Sequence, residues 1–131
     1  PVSVKTSLKT NRQDVESGKM KVLEGSVEAL PFADDGFDKI ITVESFYFWP
    51  DPQENLKEVR RVLKEGGTFL LVADTYNKEG LDPKTLENIC RFHLFTPTAE
   101  EFRKLFEKAG FTDIQIHVKE GTDWICVEGK K

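Results

Sequence analysis

The 131-residue sequence is poor in cysteine, methionine and histidine, and contains no long apolar run. Cys90 and Cys126 lie far apart, in neither a metal-knuckle nor a redox spacing, so no disulfide framework or metal site is expected to organise the fold. Both read as small, buried apolar residues, as free cysteines usually are. No stretch approaches the roughly 20 apolar residues that cross a bilayer. The opening Pro1-Val2-Ser3-Val4-Lys5 has no signal-peptide pattern, and a cytoplasmic protein is expected. An excess of basic charge is missing as well: the net charge is -4, from interspersed acids and bases. There is no basic stripe to neutralise phosphates, which argues against nucleic acid and anionic membranes as partners.

What is present suits one folded domain, residues 1–131. Ten phenylalanines and a hydrophobic share of 38% are more than a disordered chain carries. Val4, Leu8 and Val15 recur at near-helical spacing before Gly18, giving a weakly amphipathic helix over 3–16. Met20–Leu23 reads as a short strand leading to the loop Gly25-Ser26-Val27-Glu28-Ala29-Leu30-Pro31-Phe32. Asp34-Asp35-Gly36 is a turn, because Asp-Gly tolerates positive φ. Ile40-Ile41-Thr42-Val43 and Phe69-Leu70-Leu71-Val72 are continuous apolar strands of the kind buried on both faces of a parallel sheet.

Between these strands, Asp51-Pro52 with Glu54 opens a helix with a capping-box pattern. Leu56, Val59, Val62 and Leu63 form its apolar face, and Gly66-Gly67 is expected to end it. Strand, helix, strand makes a right-handed parallel crossover. Asp82-Pro83 opens a helix to about His93. Thr98 and Glu101 cap another with Phe102, Leu105, Phe106 and Ala109 on one side and Gly110 at its end. Ile114-Ile116-Val118 and Trp124-Cys126 then alternate with polar residues as two strands around Gly121, an antiparallel hairpin on an otherwise parallel sheet.

Four segments in this order carry a resemblance: Gly25 to Phe32, Phe37-Asp38-Lys39-Ile40-Ile41, Glu58-Val59-Arg60-Arg61-Val62-Leu63-Lys64-Glu65-Gly66-Gly67, and Ala109-Gly110-Phe111. Together they resemble class I S-adenosylmethionine-dependent methyltransferases, in the branch that methylates quinones and small molecules. The resemblance implies an α/β, Rossmann-like sheet in the order 3-2-1-4-5-7-6, mostly parallel with an antiparallel C-terminal hairpin and helices on both faces. Within that fold the chain corresponds to the C-terminal part. The first strand and its Gly-rich turn, where backbone N–H groups approach the cofactor, are not matched, since Gly18, Gly25 and Gly36 make no Gly-x-Gly.

The resemblance also implies site residues. Gly25, Ser26 and Val27 correspond to the adenine-facing loop, with Ser26 where the family usually has an acid. Thr42, Val43 and Glu44 correspond to the end of the fourth strand, facing the methionine part of S-adenosylmethionine. In the aromatic run Phe46-Tyr47-Phe48-Trp49, Tyr47 and Trp49 are candidates to line the pocket of a small-molecule methyl acceptor, and at least two of the four are expected in the core. His93 and His117 have a suitable ordinary pKa for a base. However, His117 falls on the polar side of a strand and His93 at a helix end, and no catalytic residue is assigned.

Two functions remain open. One is an S-adenosylmethionine-dependent methyltransferase, or a fragment of one, with weak or absent cofactor binding by this chain alone and a complementing chain as partner. The other is a non-catalytic remnant. In both, the strand Lys39–Val43 presents an open edge, which predicts a homodimer or a repaired edge.

Overall fold

The computed structural model describes residues 1–131. It contains helices α1 (Val2–Thr10) and α2 (Arg12–Glu16), strand β1 (Phe37–Val43), helix α3 (Pro52–Val62), strand β2 (Leu63–Ala73), helices α4 (Pro83–Phe92) and α5 (Ala99–Lys108), and strands β3 (Thr112–Val118) and β4 (Ile125–Lys130). The four strands form one sheet in the order β1-β2-β4-β3. β1 and β2 run parallel, and β4 is antiparallel to both β2 and β3. This order reproduces the 4-5-7-6 end of the expected sheet, and the last strand sits inside the sheet, between β2 and β3.

The core lies under one face of the sheet. Phe69, Leu71 and Ala73 of β2 and Ile125 and Val127 of β4 point into it and are essentially fully buried. Leu56, Val59 and Val62 of α3 and Phe102 and Phe106 of α5 close over them. Its centre is a triplet of rings: Phe69 stacks on Phe106 at 5.6 Å and on Phe111 at 5.7 Å, with Phe106 and Phe111 5.1 Å apart. The register places Gly129 beside Phe69, and a Cβ there would stand 2.9 Å from Phe106 and 3.1 Å from Phe111. Glycine leaves the space that the rings fill.

The opposite face is not covered in the same way, in contrast to the expectation of helices on both faces. Ile41 and Val43 of β1 are 60% and 55% exposed, and Leu70 and Val72 beside them are half-buried. α1 and α2 have no buried residue and pack chiefly on each other. The long helix read over 3–16 is therefore two short ones, broken at Asn11, whose side chain donates to Ser7 O at 3.0 Å. Met20–Leu23 forms no strand. A strand requires a neighbour for its backbone hydrogen bonds, and here the Met20 N–H bonds to Asp14 O while Leu23 is 55% exposed.

Several boundaries differ for local reasons. α3 stops at Val62, before the glycines, because Leu63 is already extended (φ -82°, ψ 137°) and fully buried. Gly66 and Gly67 instead serve a bulge, where the register slips from Phe37↔Leu63 to Lys39↔Thr68. Gly66 takes φ +73°, and a Cβ on Gly67 would come within 2.8 Å of Lys64 O. At the start of α3, Asp51 caps the Glu54 N–H as expected, but the return bond to the Asp51 N–H comes from Asn55 Oδ1 at 3.1 Å. Glu54 pairs with Lys57 instead. α5 carries the full Thr98/Glu101 capping box. In the Asp-Gly turn it is Asp35, not Gly36, that takes positive φ. The cysteines are not buried: Cys90 is exposed and Cys126 half-buried on the uncovered face of the sheet.

Candidate functional site

The carboxyl ends of parallel strands are where open α/β sheets bind their ligands, and here that means the turns after β1 and β2. Glu44 follows β1 in the left-handed conformation (φ 55°), a strained choice for a residue with a Cβ. Its own N–H still pairs with Val72 O at 3.0 Å. From this position the side chain crosses to the end of β2, where Glu44 Oε1 accepts the Asp74 N–H at 2.5 Å. Tyr47 reaches the same point from the 3-10 turn Phe46–Phe48, which follows β1. Its hydroxyl donates to Asp74 Oδ1 at 2.9 Å and accepts the buried Thr75 N–H at 3.2 Å. Each Glu44 oxygen lies 3.4 Å from the same hydroxyl.

The neighbouring acid alters the chemistry of Glu44. Burial, then hydrogen bonding to and repulsion by Asp74, push the Glu44 carboxyl above the usual carboxylate range. Burial likewise pushes the Tyr47 phenol well above its ordinary value, so the hydroxyl keeps its proton and donates it to Asp74.

These groups form the polar wall of a cavity of about 330 Å³, within the size range of small-molecule sites. The apolar wall comes from Phe48, from Ile89 and Phe92 of α4, and from Leu94. Asp123, just before β4, closes one side. The antiparallel pairing Ala73↔Ile125 brings it there, at the same end of the sheet as Asp74.

Of the residues singled out in the sequence, Glu44 and Tyr47 meet in this cavity and the others lie elsewhere. Gly25, Ser26 and Val27 line a separate depression with Leu30, Pro31 and Phe32. Ser26 Oγ bonds back to Glu28 within its own turn, at 3.0 Å to the carboxylate and 3.2 Å to the N–H. That loop is fastened to α3 by a pair from the Glu58–Gly67 segment. Arg61 donates to Phe32 O (2.9 Å), Leu30 O (3.2 Å), Asp34 (2.7 Å) and Glu58 (2.8 Å), and Glu58 accepts the Leu30 N–H (2.8 Å). The guanidinium holds the Glu58 carboxyl below its ordinary range.

Thr42 hydrogen-bonds Ser45, and Trp49 Nε1 donates to Ser45 Oγ at 3.3 Å. Trp49 is half-buried against Phe46 at 5.1 Å, so it braces the turn and does not line the cavity. Val43 faces the uncovered side of the sheet. Of the aromatic run, Phe46 and Tyr47 are buried, which agrees with two of four in the core. His93 is the exposed left-handed C-cap of α4, and exposed His117 lies 3.6 Å from Glu128; neither borders the cavity.

Asp74 and Thr75 were not singled out from the sequence. The signal was available, because the carboxyl-end rule applied to β1 applies equally to β2.

Residues 1–131 fit S-adenosylmethionine only in part. The Glu44–Asp74 pair suits a cationic group, whereas the Ser26 hydroxyl is engaged within its own turn. The two cavities share no lining residue. No helix is long and apolar enough to cross a membrane.

Comparison with known proteins agrees with this architecture. A family model described as a methyltransferase domain matches residues 3–71. The chain is 34% identical over 109 residues to 2-methyl-6-phytyl-1,4-hydroquinone methyltransferase 1, chloroplastic, of Oryza sativa subsp. japonica, covering 83% of this chain and 32% of the rice protein. It is 38% identical over 96 residues to the Arabidopsis thaliana enzyme of the same description, covering 73% and 27%. The chain thus spans about a third of the length of the curated relatives it matches. Among solved structures, a SAM-dependent methyltransferase from Thermotoga maritima superposes with a TM-score of 0.70 at 26% identity, covering 92% of this chain and 69% of the other. Phosphoethanolamine N-methyltransferase 2 of Haemonchus contortus, in complex with S-adenosyl-L-methionine, shares the fold at TM-score 0.69 and 13% identity, over 81% and 36%. With a parallel β1–β2 unit, an inserted antiparallel last strand and these matches, the chain belongs to the methyltransferase domain family.

Proposed function

We propose that this chain carries the acceptor side of an S-adenosylmethionine-dependent methyltransferase acting on a small molecule. The observation that carries the reading is the Glu44–Tyr47–Asp74 cluster, set against an aromatic wall at the carboxyl ends of β1 and β2. S-adenosylmethionine, when bound, supplies an electrophilic methyl group on a sulfonium. The chain's own residues orient the acceptor and accept its proton. Glu44, whose carboxyl is held above the usual carboxylate range by burial and by Asp74, is the group placed to take that proton. Asp74 and Tyr47 act as positioning residues that hold Glu44 in its left-handed turn.

Affinity of residues 1–131 for the donor is weak in this reading, because Ser26 is engaged with Glu28 and the depression it lines is separate from the cavity. In this reading the rest of the donor site is supplied from outside residues 1–131. A cytoplasmic location belongs to the same reading; the rice relative is described as chloroplastic.

The test is transfer of labelled methyl groups at millimolar donor, where weak affinity still fills the site, to a panel of small phenols, thiols and amines. Transfer to at least one class, reduced about 100-fold by Glu44→Gln, supports a base at this position. No transfer to any class favours the second reading, a non-catalytic methyltransferase-like chain that self-associates. That alternative draws on the position of β1 at the sheet edge, with Ile41 and Val43 exposed beside unpaired backbone groups.

A further inference from the structure

Two helices of equal length follow β2, and the fold holds them differently. α5 buries Phe102 and Phe106 and is tied to its surroundings by Arg103, which donates to Ile114 O at 3.0 Å, and by Gln53 Nε2, which donates to Leu105 O at 3.3 Å. α4 has no buried residue. The hydrogen bonds of residues 79–94 all stay within that segment, around the Asp82 cap, along the helix and at its C-terminal turn. None joins it to the rest of the protein.

The ends of the segment, by contrast, are pinned. The Asn77 N–H donates to Pro97 O at 3.0 Å and closes its base, while Lys78 Nζ reaches Thr122 O at 2.8 Å and Asp123 at 2.6 Å. On the other side the Phe95 N–H donates to Tyr47 O at 3.3 Å. Just inside these anchors lie two residues with positive φ, Gly80 at +80° and His93, the C-cap of α4, at +51°. A segment with few buried contacts and no bonds to the body opens locally at the lowest cost. Hinges are the few loop or element-terminal residues that absorb the change in φ and ψ.

This segment stands over the cavity at the carboxyl ends of β1 and β2. Thr85, Asn88, Ile89 and Phe92 line it from one face of α4, at the spacing i, i+3, i+4 and i+7. Apolar surface at the cavity is left in water: Phe48 is 66% and Phe92 56% exposed. Settling of the helix onto an occupant buries more of both, a favourable change.

We propose that residues 79–94 form a lid, hinged near Gly80 and His93, which swings away from Glu44 and Tyr47 to admit the acceptor and then settles on it. Closure shields the reacting groups from water. The inference rests on the cavity being the acceptor site, and it adds that access to that site is gated.

The experiment is amide hydrogen exchange by NMR on the full chain, first free and then with phenol, benzylamine or benzyl mercaptan at millimolar concentration. In the free chain the amides of α4 are expected to exchange at least about 100-fold faster than those of α5, through an opening that leaves the core folded. A probe that shifts the resonances of Tyr47 and Asp74 should slow α4 about fivefold or more and leave α5 unchanged. Gly80→Ala should speed α4 alone, about tenfold, because a Cβ there meets no atom but strains the positive φ that opening relieves. The measurements on the unaltered chain decide the matter even if that variant folds poorly. Exchange of α4 at the rate of α5 overturns the lid. So does a probe that reaches Tyr47 and Asp74 without slowing α4, a result that spares the acceptor-site reading. If none of the three probes perturbs Tyr47 and Asp74, the acceptor site falls and the lid with it.

Discussion

Replacing Tyr47 by phenylalanine isolates one bond at the heart of the site. The ring is 8% exposed and its packing is unchanged by loss of the hydroxyl. What disappears is the acceptor for the buried Thr75 N–H, at 3.2 Å, and the donor to Asp74, at 2.9 Å. The two losses are unequal. Asp74 is exposed, so water replaces the donor it loses. Thr75 is 7% exposed, and its N–H has no other acceptor. Leaving such a group unmet costs about 1–3 kcal/mol, a substantial part of the roughly 5–15 kcal/mol that holds a domain together. Urea unfolding followed by tryptophan fluorescence measures it, with an unchanged m-value expected because the surface exposed on unfolding is the same. The same substitution in an Asp74→Ala background should lose a similar amount. A loss below about 0.5 kcal/mol, or one that vanishes in that background, would show that the Thr75 N–H is not what the hydroxyl supports.

Two further outcomes follow from the core and from the sheet edge. Gly129→Ala places a methyl group 2.9 Å from Phe106 and should destabilise the fold by about 1–3 kcal/mol through overpacking; adding Phe106→Leu should then cost less than it does alone, as read from urea curves. For the β1 edge, light scattering at micromolar concentration should give a mass above that of a monomer, and Val43→Lys should return it to monomer, since charge on an edge strand opposes pairing; a monomeric unaltered chain counts against self-association.

The sequence by itself determined the local elements and their class. Asp51, Asp82 and Thr98 cap α3, α4 and α5 as their positions indicate, because a cap depends only on residues within one turn. The apolar spacing of Leu56, Val59 and Val62 fixed which face of α3 is buried, and the continuous runs at Ile40 and Phe69 fixed the parallel pair. The ordered motifs identified the methyltransferase family. Elements without that local definition needed the fold. Met20–Leu23 has strand composition but no neighbour to bond, and Gly66-Gly67 resembles a helix stop yet serves a bulge, because Leu63 is drawn into the core one turn earlier.

The site was legible only in part, for the same reason. Glu44 and Tyr47 follow one strand and share its sequence context, so they could be named together. Asp74 and Thr75 lie about thirty positions away and join them only because β1 and β2 pair in register from Lys39↔Thr68 to Val43↔Val72. Ser26, by contrast, matches a family position but turns back to its own Glu28. Chain-local chemistry decides caps, periodicity and family. The meeting of two carboxyl groups, and the cavity they face, depends on which strand lies beside which, and only the tertiary structure decides that.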